Sequence, residues 1–250
     1  MRWFLPTQAT LKQVKVGQFQ VLCWINDAIG RRLYLARAYE AEDIAALKAV
    51  VRTGDIIADV GANIGYLTIN LATFTGPSGR VISFEPMPHL HPVAALNATL
   101  NGLKNVVVHP MVVSETSDAT AVANIPEGGA PCAYFTLSSG GDGVKTVRLD
   151  EFANRAGIKR FDVVKIDVEG GEVSVLKSAR DLLQDPARRP RTLMIEIVDA
   201  QLKRFNHKLE DIYEILIPLG YKATIYRSGA FEPVANPRDA DCWNVFFTSH

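Results

Sequence analysis

Residues 55–85 constrain this chain more than any other stretch. An apolar run over residues 56–60 enters the turn Gly61-Ala62-Asn63-Ile64-Gly65. A helical pattern follows over residues 66–74, and a second apolar run ends on Glu85. That order predicts a β-α-β unit with a nucleoside-type site at the carboxyl ends of its strands. Gly61 and Gly65 are expected to let the backbone turn tightly and to let a ligand approach the main chain. The helix that follows offers free N–H groups. Glu85 stands 20 residues after Gly65, and about 20 residues is the spacing at which an acidic residue reaches a ribose hydroxyl.

Charge narrows the choice of nucleoside. The turn reads Gly-x-Asn-x-Gly rather than Gly-x-Gly-x-x-Gly, and Asp59 precedes its first glycine. A carboxylate there would repel the pyrophosphate of a nicotinamide cofactor. S-adenosylmethionine has no phosphate and carries an ammonium and a sulfonium, which suits an acidic strand end followed by a glycine turn. A βα turn without a ligand would explain the two glycines but not carboxylates at two consecutive strand ends. The donor site is therefore expected to comprise Asp59, Gly61, Asn63, Gly65, Glu85 and Pro86. Ser114, at the end of the next strand, is placed to reach an adenine.

Further along the chain, strand and helix patterns alternate. Residues 40–52, 89–100, 173–183 and 209–219 are periodic in the helical sense, and residues 105–113, 145–149, 161–166 and 192–197 read as strands. Two final strands, residues 221–226 and 243–248, close the chain. Alternation of this kind predicts an α/β fold with a mostly parallel sheet and helices on both faces. Residues 1–38 read as an addition outside the main sheet: residues 19–25 form a strand, and residues 32–35 return as its partner. The rest, residues 39–250, is one domain. Its irregular insertion near 119–143 is read as a substrate-facing flap.

The 250 residues are 48% hydrophobic, enough for a core, and the formal net charge is zero. No basic field points to nucleic acid or an anionic membrane. Cys23, Cys132 and Cys242 are odd in number and widely spaced, which implies a reducing compartment and no metal signature. With too short an apolar start for a signal peptide and no long apolar stretch, the expectation is a cytoplasmic protein without a membrane span. The expected partner is a small-molecule acceptor, and a homodimer is allowed.

Several stretches, in order, carry a family resemblance: Tyr39-Glu40, Asp59-Val-Gly-Ala-Asn-Ile-Gly65, Phe84-Glu85-Pro86, Leu149-Asp150-Glu151, Lys165-Ile-Asp-Val-Glu-Gly170, and the strand ending near Glu196. The chain resembles the FkbM family of S-adenosylmethionine-dependent methyltransferases. The resemblance implies a Rossmann-like, class I methyltransferase fold, with a seven-stranded sheet whose last strand is reversed. It also implies methyl transfer, most often to a hydroxyl of a sugar, polyketide or other small molecule, and places Glu40 near the substrate. An N-methyltransferase acting on a protein or peptide side chain is the alternative. A binding module that has lost activity is disfavoured by the intact Asp59, Gly61, Gly65 and Glu85.

Asp167, Glu169 and Glu196 fall at the carboxyl ends of neighbouring strands, where open sheets bind ligands. A hydroxyl acceptor needs a base, and Asp167 is the first candidate. Glu169 would hold the acceptor or orient Asp167, or else cap the following helix. Glu196 lies one strand further out. Converging carboxylates could hold a divalent cation such as magnesium, but no dedicated ligand spacing is present and no metal is expected.

Overall fold

A computed structural model describes residues 9–124, 133–138, 142–234 and 244–249. The chain opens with strands β1 (Leu11–Val16) and β2 (Phe19–Trp24), then helices α1 (Ala28–Ala36) and α2 (Ala41–Val50). The unit predicted from the glycine turn follows as β3 (Ile56–Val60), α3 (Tyr66–Thr75) and β4 (Arg80–Phe84), and then α4 (His91–Leu100) and β5 (Val106–His109). Next come the short strands β6 (Val112–Val113), β7 (Thr120–Asn124), β8 (Tyr134–Ser138) and β9 (Val144–Val147), and helix α5 (Leu149–Arg155). The last third runs β10 (Val163–Ile166), α6 (Glu172–Ser178), α7 (Arg180–Gln184), β11 (Thr192–Glu196), α8 (Asp199–Leu202), α9 (Leu209–Leu216), β12 (Lys222–Arg227), β13 (Ala230–Pro233) and β14 (Asn244–Thr248).

The main sheet has eight strands in the order β13-β12-β14-β11-β10-β3-β4-β5. Strands β3, β4, β5, β10 and β11 are mutually parallel, and β14 inserts antiparallel between β11 and β12. The last strand is thus reversed, as the family resemblance implied. An eighth strand, β13, pairs antiparallel with the outer side of β12. Strands β3 and β10 are buried along nearly their whole length because helices cover both faces. The expected strand over residues 105–113 divides at Pro110. Its first half, β5, edges the main sheet, and its second half, β6, joins a four-stranded sheet of order β6-β9-β7-β8. Proline lacks the N–H that a continuous ladder needs.

Two local expectations are corrected. The partner of β2 is the upstream strand β1, paired from Leu11↔Trp24 to Val16↔Phe19, not residues 32–35. Those residues lie in α1, which starts where the Asp27 carboxylate accepts the Gly30 N–H at 2.5 Å. That is an ordinary N-cap. The helix expected over residues 173–183 breaks at Ala179 into α6 and α7.

Residues 11–36 do not stand apart from the main domain. Val14, Val16, Phe19, Val21 and Leu33 share one apolar cluster with Ile64 and Ile69 around α3 and with Val93 and Ala98 of α4. The Asn97 side chain of α4 pairs with both backbone groups of Leu22, at 2.6 and 3.0 Å, and Asn101 does the same for Gln20, at 2.9 and 2.7 Å. These amides satisfy one side of β2, as a neighbouring strand would.

Candidate active site

The carboxyl ends of β3, β4, β10 and β11 open into one cavity of about 880 Å³, within the roughly 300–1000 Å³ typical of small-molecule sites. The β3 turn begins it. Gly61 and Ala62 donate to the Phe84 carbonyl at 2.9 and 3.1 Å. Gly61 adopts φ +86°, and a Cβ there would lie 1.7 Å from the Asp167 carbonyl oxygen. Gly65, at φ +78°, would meet Ala94 of α4 at 3.0 Å. Both glycines are therefore required by close packing of the protein on itself, in a backbone region that L side chains rarely adopt. Gly61 still lines the cavity, whereas Gly65 lies behind its wall.

Glu85 follows β4 and is 4% exposed. One carboxylate oxygen accepts the Asn63 N–H at 2.7 Å and the other accepts the Met87 N–H at 2.8 Å. Each oxygen keeps further acceptor capacity. Burial pushes this carboxyl up to about 7, against the pull of the two N–H groups. Asn63 sits at φ +52°, which points its N–H at Glu85, and Asn63, Pro86 and Ser114 all line the cavity.

Asp59 takes a different place from the one expected. It is fully buried behind the wall, where it accepts from Thr68 Oγ1 at 2.5 Å and lies 3.4 Å from the Lys165 ammonium. Lys165 was legible only as part of a motif, yet it joins the two halves of the site. Its Nζ donates to the Gly61 carbonyl at 2.7 Å and lies 3.3 Å from Asp167. Burial would push this lysine down, but Asp167 and Asp59 outweigh it and hold the ammonium charged.

Asp167, beside the turn, and Glu169, Glu196 and Glu40 also line the cavity. The Glu196 carboxyl, pushed up to about 9 by burial and then by Asp167 and Glu169, shares a hydrogen bond with Asp167. Glu169, at φ +59°, accepts from Gln201 Nε2 of α8 at 2.5 Å. It does not cap α6, whose N-cap is Gly171; Glu172, the first residue of α6, accepts the Val168 and Gly170 N–H groups at 3.3 and 3.0 Å. Glu40 is held at φ +50° just before α2, and Tyr39 hydrogen-bonds it. Burial pushes Glu40 up to about 7. Among the described residues, no group of three or more His, Cys, Asp or Glu is arranged to hold a metal ion.

Strands β7 and β8 line the cavity with Ala121, Phe135 and Leu137; residues 125–132 and 139–141 of the insertion expected near 119–143 lie outside the described residues. The junction before α1 adds Asp27, and the α8 region adds Gln201, Phe205 and His207. Neither Gln201 nor Phe205 carried a sequence signal, whereas His207 was one of the histidines open to a base role. Among the described residues, no helix is long and apolar enough to cross a membrane.

A family model described as the methyltransferase FkbM domain matches residues 59–223. The chain is 25% identical to the 31-O-demethyl-FK506 methyltransferase FkbM of Streptomyces tacrolimicus, over 92% of this chain and 88% of that protein. It is 28% identical to the hexuronic acid methyltransferase AglP of Haloferax volcanii, over 58% of each. Among solved structures, an S-adenosylmethionine-dependent O-methyltransferase from Thermotoga maritima aligns with a TM-score of 0.51 at 16% identity, covering 91% of this chain and 73% of that one. An O-methyltransferase from Bacillus cereus, solved with S-adenosylhomocysteine, aligns at 0.50 and 15% identity, over 85% and 83%. At such identities the likeness is one of fold, and the fold is the Rossmann-like one of these methyltransferases.

Proposed function

We propose, from the premise that the chain belongs to the FkbM methyltransferase domain family and is an S-adenosylmethionine-dependent methyltransferase, that it methylates a hydroxyl of a small molecule. The bound donor supplies a methyl carbon already activated by its sulfonium. In the transfer an acceptor oxygen bonds to that carbon, the carbon–sulfur bond breaks with its electrons going to sulfur, and the hydroxyl proton passes to a base. Residues 39–250 form the catalytic domain in this reading. Residues 1–38 and the insertion near 119–143 shape the acceptor side.

The observation that carries the proposal is that Glu85 and the carboxylates Asp167, Glu169 and Glu196 line one cavity. Glu85 keeps acceptor capacity on both oxygens and suits the two ribose hydroxyls of the donor. Gly61, Asn63, Pro86 and Ser114 line the same end. Asp59 acts indirectly, by anchoring Lys165 and Thr68 behind the turn. In the same cavity, Asp167 accepts the proton. Its side chain is 30% exposed, and Lys165 supplies its countercharge from behind. Glu169 and Glu196 flank it and orient the acceptor.

The names of the two relatives, one for an FK506 derivative and one for a hexuronic acid, support a small acceptor over a macromolecule. Calorimetric titration with S-adenosylhomocysteine and with NAD tests the donor: binding of NAD alone would overturn the reading. A screen of hydroxylated and amine compounds with a trideuteromethyl donor tests the acceptor. The label on oxygen supports the proposal, and the label on nitrogen selects the N-methyl alternative.

A further inference from the structure

The two relatives divide on one chemical point. A hexuronic acid carries a carboxylate, and the walls of this cavity bear on whether such a group could enter. Glu40, Asp167, Glu169 and Glu196 line one side, and Asp27, Glu85 and Glu115 line the rest. Among the described residues that line the cavity, Lys165 is the only lysine or arginine. It has no capacity left for a ligand, because it is 3% exposed and committed to the Gly61 carbonyl, Asp59 and Asp167. His207 faces Asp211 at 3.3 Å. Met111, Ala121, Phe135, Leu137 and Phe205 add apolar surface to the lining.

We infer that the acceptor is an uncharged compound with an apolar body and a hydroxyl, and that the cavity rejects acceptors bearing a carboxylate or phosphate. The inference rests on the methyl-transfer reading given above and narrows it. An anion entering here would leave water, meet several carboxyl groups and find no lysine or arginine free to pair with. Glu196 already experiences that environment: burial and the neighbouring Asp167 and Glu169 keep its own carboxyl from ionising until about pH 9. A substrate carboxylate in the same field would face the same obstacle. A hydroxyl can instead donate to Asp167, while its apolar body lies against the β7–β8 strands.

Charged thiol reagents measure this field without knowledge of the acceptor. The variant Q201C carries a thiol beside Glu169, and F135C carries one on the apolar wall, so either can serve if the other does not fold. Each is loaded with S-adenosylhomocysteine and treated with cationic and anionic methanethiosulfonates of similar size. Peptide mapping separates the new thiol from Cys23, Cys132 and Cys242. The cationic-to-anionic rate ratio is expected to exceed that of N-acetylcysteine by about tenfold or more. It is expected to fall toward the free-thiol ratio when Glu169→Gln is added. A ratio at or below the free-thiol value would overturn the inference. Failure of the methyl-transfer reading is seen separately, as absence of S-adenosylhomocysteine binding in the unmodified protein.

Discussion

In the proposed reading the cavity has a donor end and an acceptor end, and the two are built differently. The donor end comes mainly from one continuous stretch, the β3 turn, the start of α3 and the end of β4, with Glu85 folding back onto the Asn63 N–H and Ser114 added after β6. The acceptor end gathers Tyr39 and Glu40 before α2, the β7–β8 hairpin, Asp167 and Glu169 after β10, Glu196 on β11, and Gln201 on α8. Local turn chemistry suffices for the first. The second exists only once the sheet has set its strand order. The two ends meet at Lys165, which binds the Gly61 carbonyl on one side and Asp167 on the other.

Breaking the acceptor end alone should cost rate and spare donor binding. Asp167→Asn is expected to lower turnover by about 10²- to 10⁴-fold, the usual size of a lost general base, with the S-adenosylhomocysteine affinity unchanged in calorimetry. Unchanged turnover would remove Asp167 from proton transfer. Breaking the joint should cost the fold itself. Lys165→Met leaves Asp59 buried without its partner, which is expected to cost about 3–5 kcal/mol in denaturant unfolding.

Glu172 sharpens the contrast from beneath the acceptor end. Burial pushes its carboxyl up to about 7 from an ordinary 4.5. The folded state therefore binds the proton more tightly than the unfolded chain does. Stability falls as pH rises from 4.5 to 7 and then levels off. Glu172→Gln removes this dependence, so its stability relative to the parent should rise by about 3 kcal/mol between pH 4.5 and pH 8. Parallel curves for the two proteins would show that Glu172 is not held protonated.

The donor end has its own pH signature, smaller in free energy. The Glu85 carboxyl, near 7 in the free protein, must be ionised to accept from ribose hydroxyls. Affinity for S-adenosylhomocysteine should weaken about tenfold from pH 8 to pH 6, and Glu85→Gln should abolish that slope. A slope that persists in the variant would assign it to another group.

Much of the donor end was legible in the sequence because it depends on short spacing. The apolar runs, the glycines and Glu85 all lie within one β-α-β unit. Even so, the reason for the glycines was not legible. They make room for the Asp167 carbonyl and for Ala94, groups remote in sequence. The same remoteness hid the burial of Asp59, since a strand-end carboxylate looks alike in sequence whether it faces a ligand or a lysine. In the N-terminal segment, residues 32–35 read as a strand by apolar content, but the Asp27 cap sets a helix there and β1 takes the pairing.

By itself, the sequence determined the alternating α/β order, the glycine turn and the carboxylates that end its strands. Those features follow from hydrophobic period and local backbone geometry, which act over a few residues. Only the tertiary structure decided which carboxylates share a cavity. It turned Asp59 inward and made Lys165 the bridge between the two ends. It also closed the acceptor side with a hairpin and with Gln201. Each of these depends on desolvation and on contacts between residues far apart in the chain, and neither exists until the sheet is assembled.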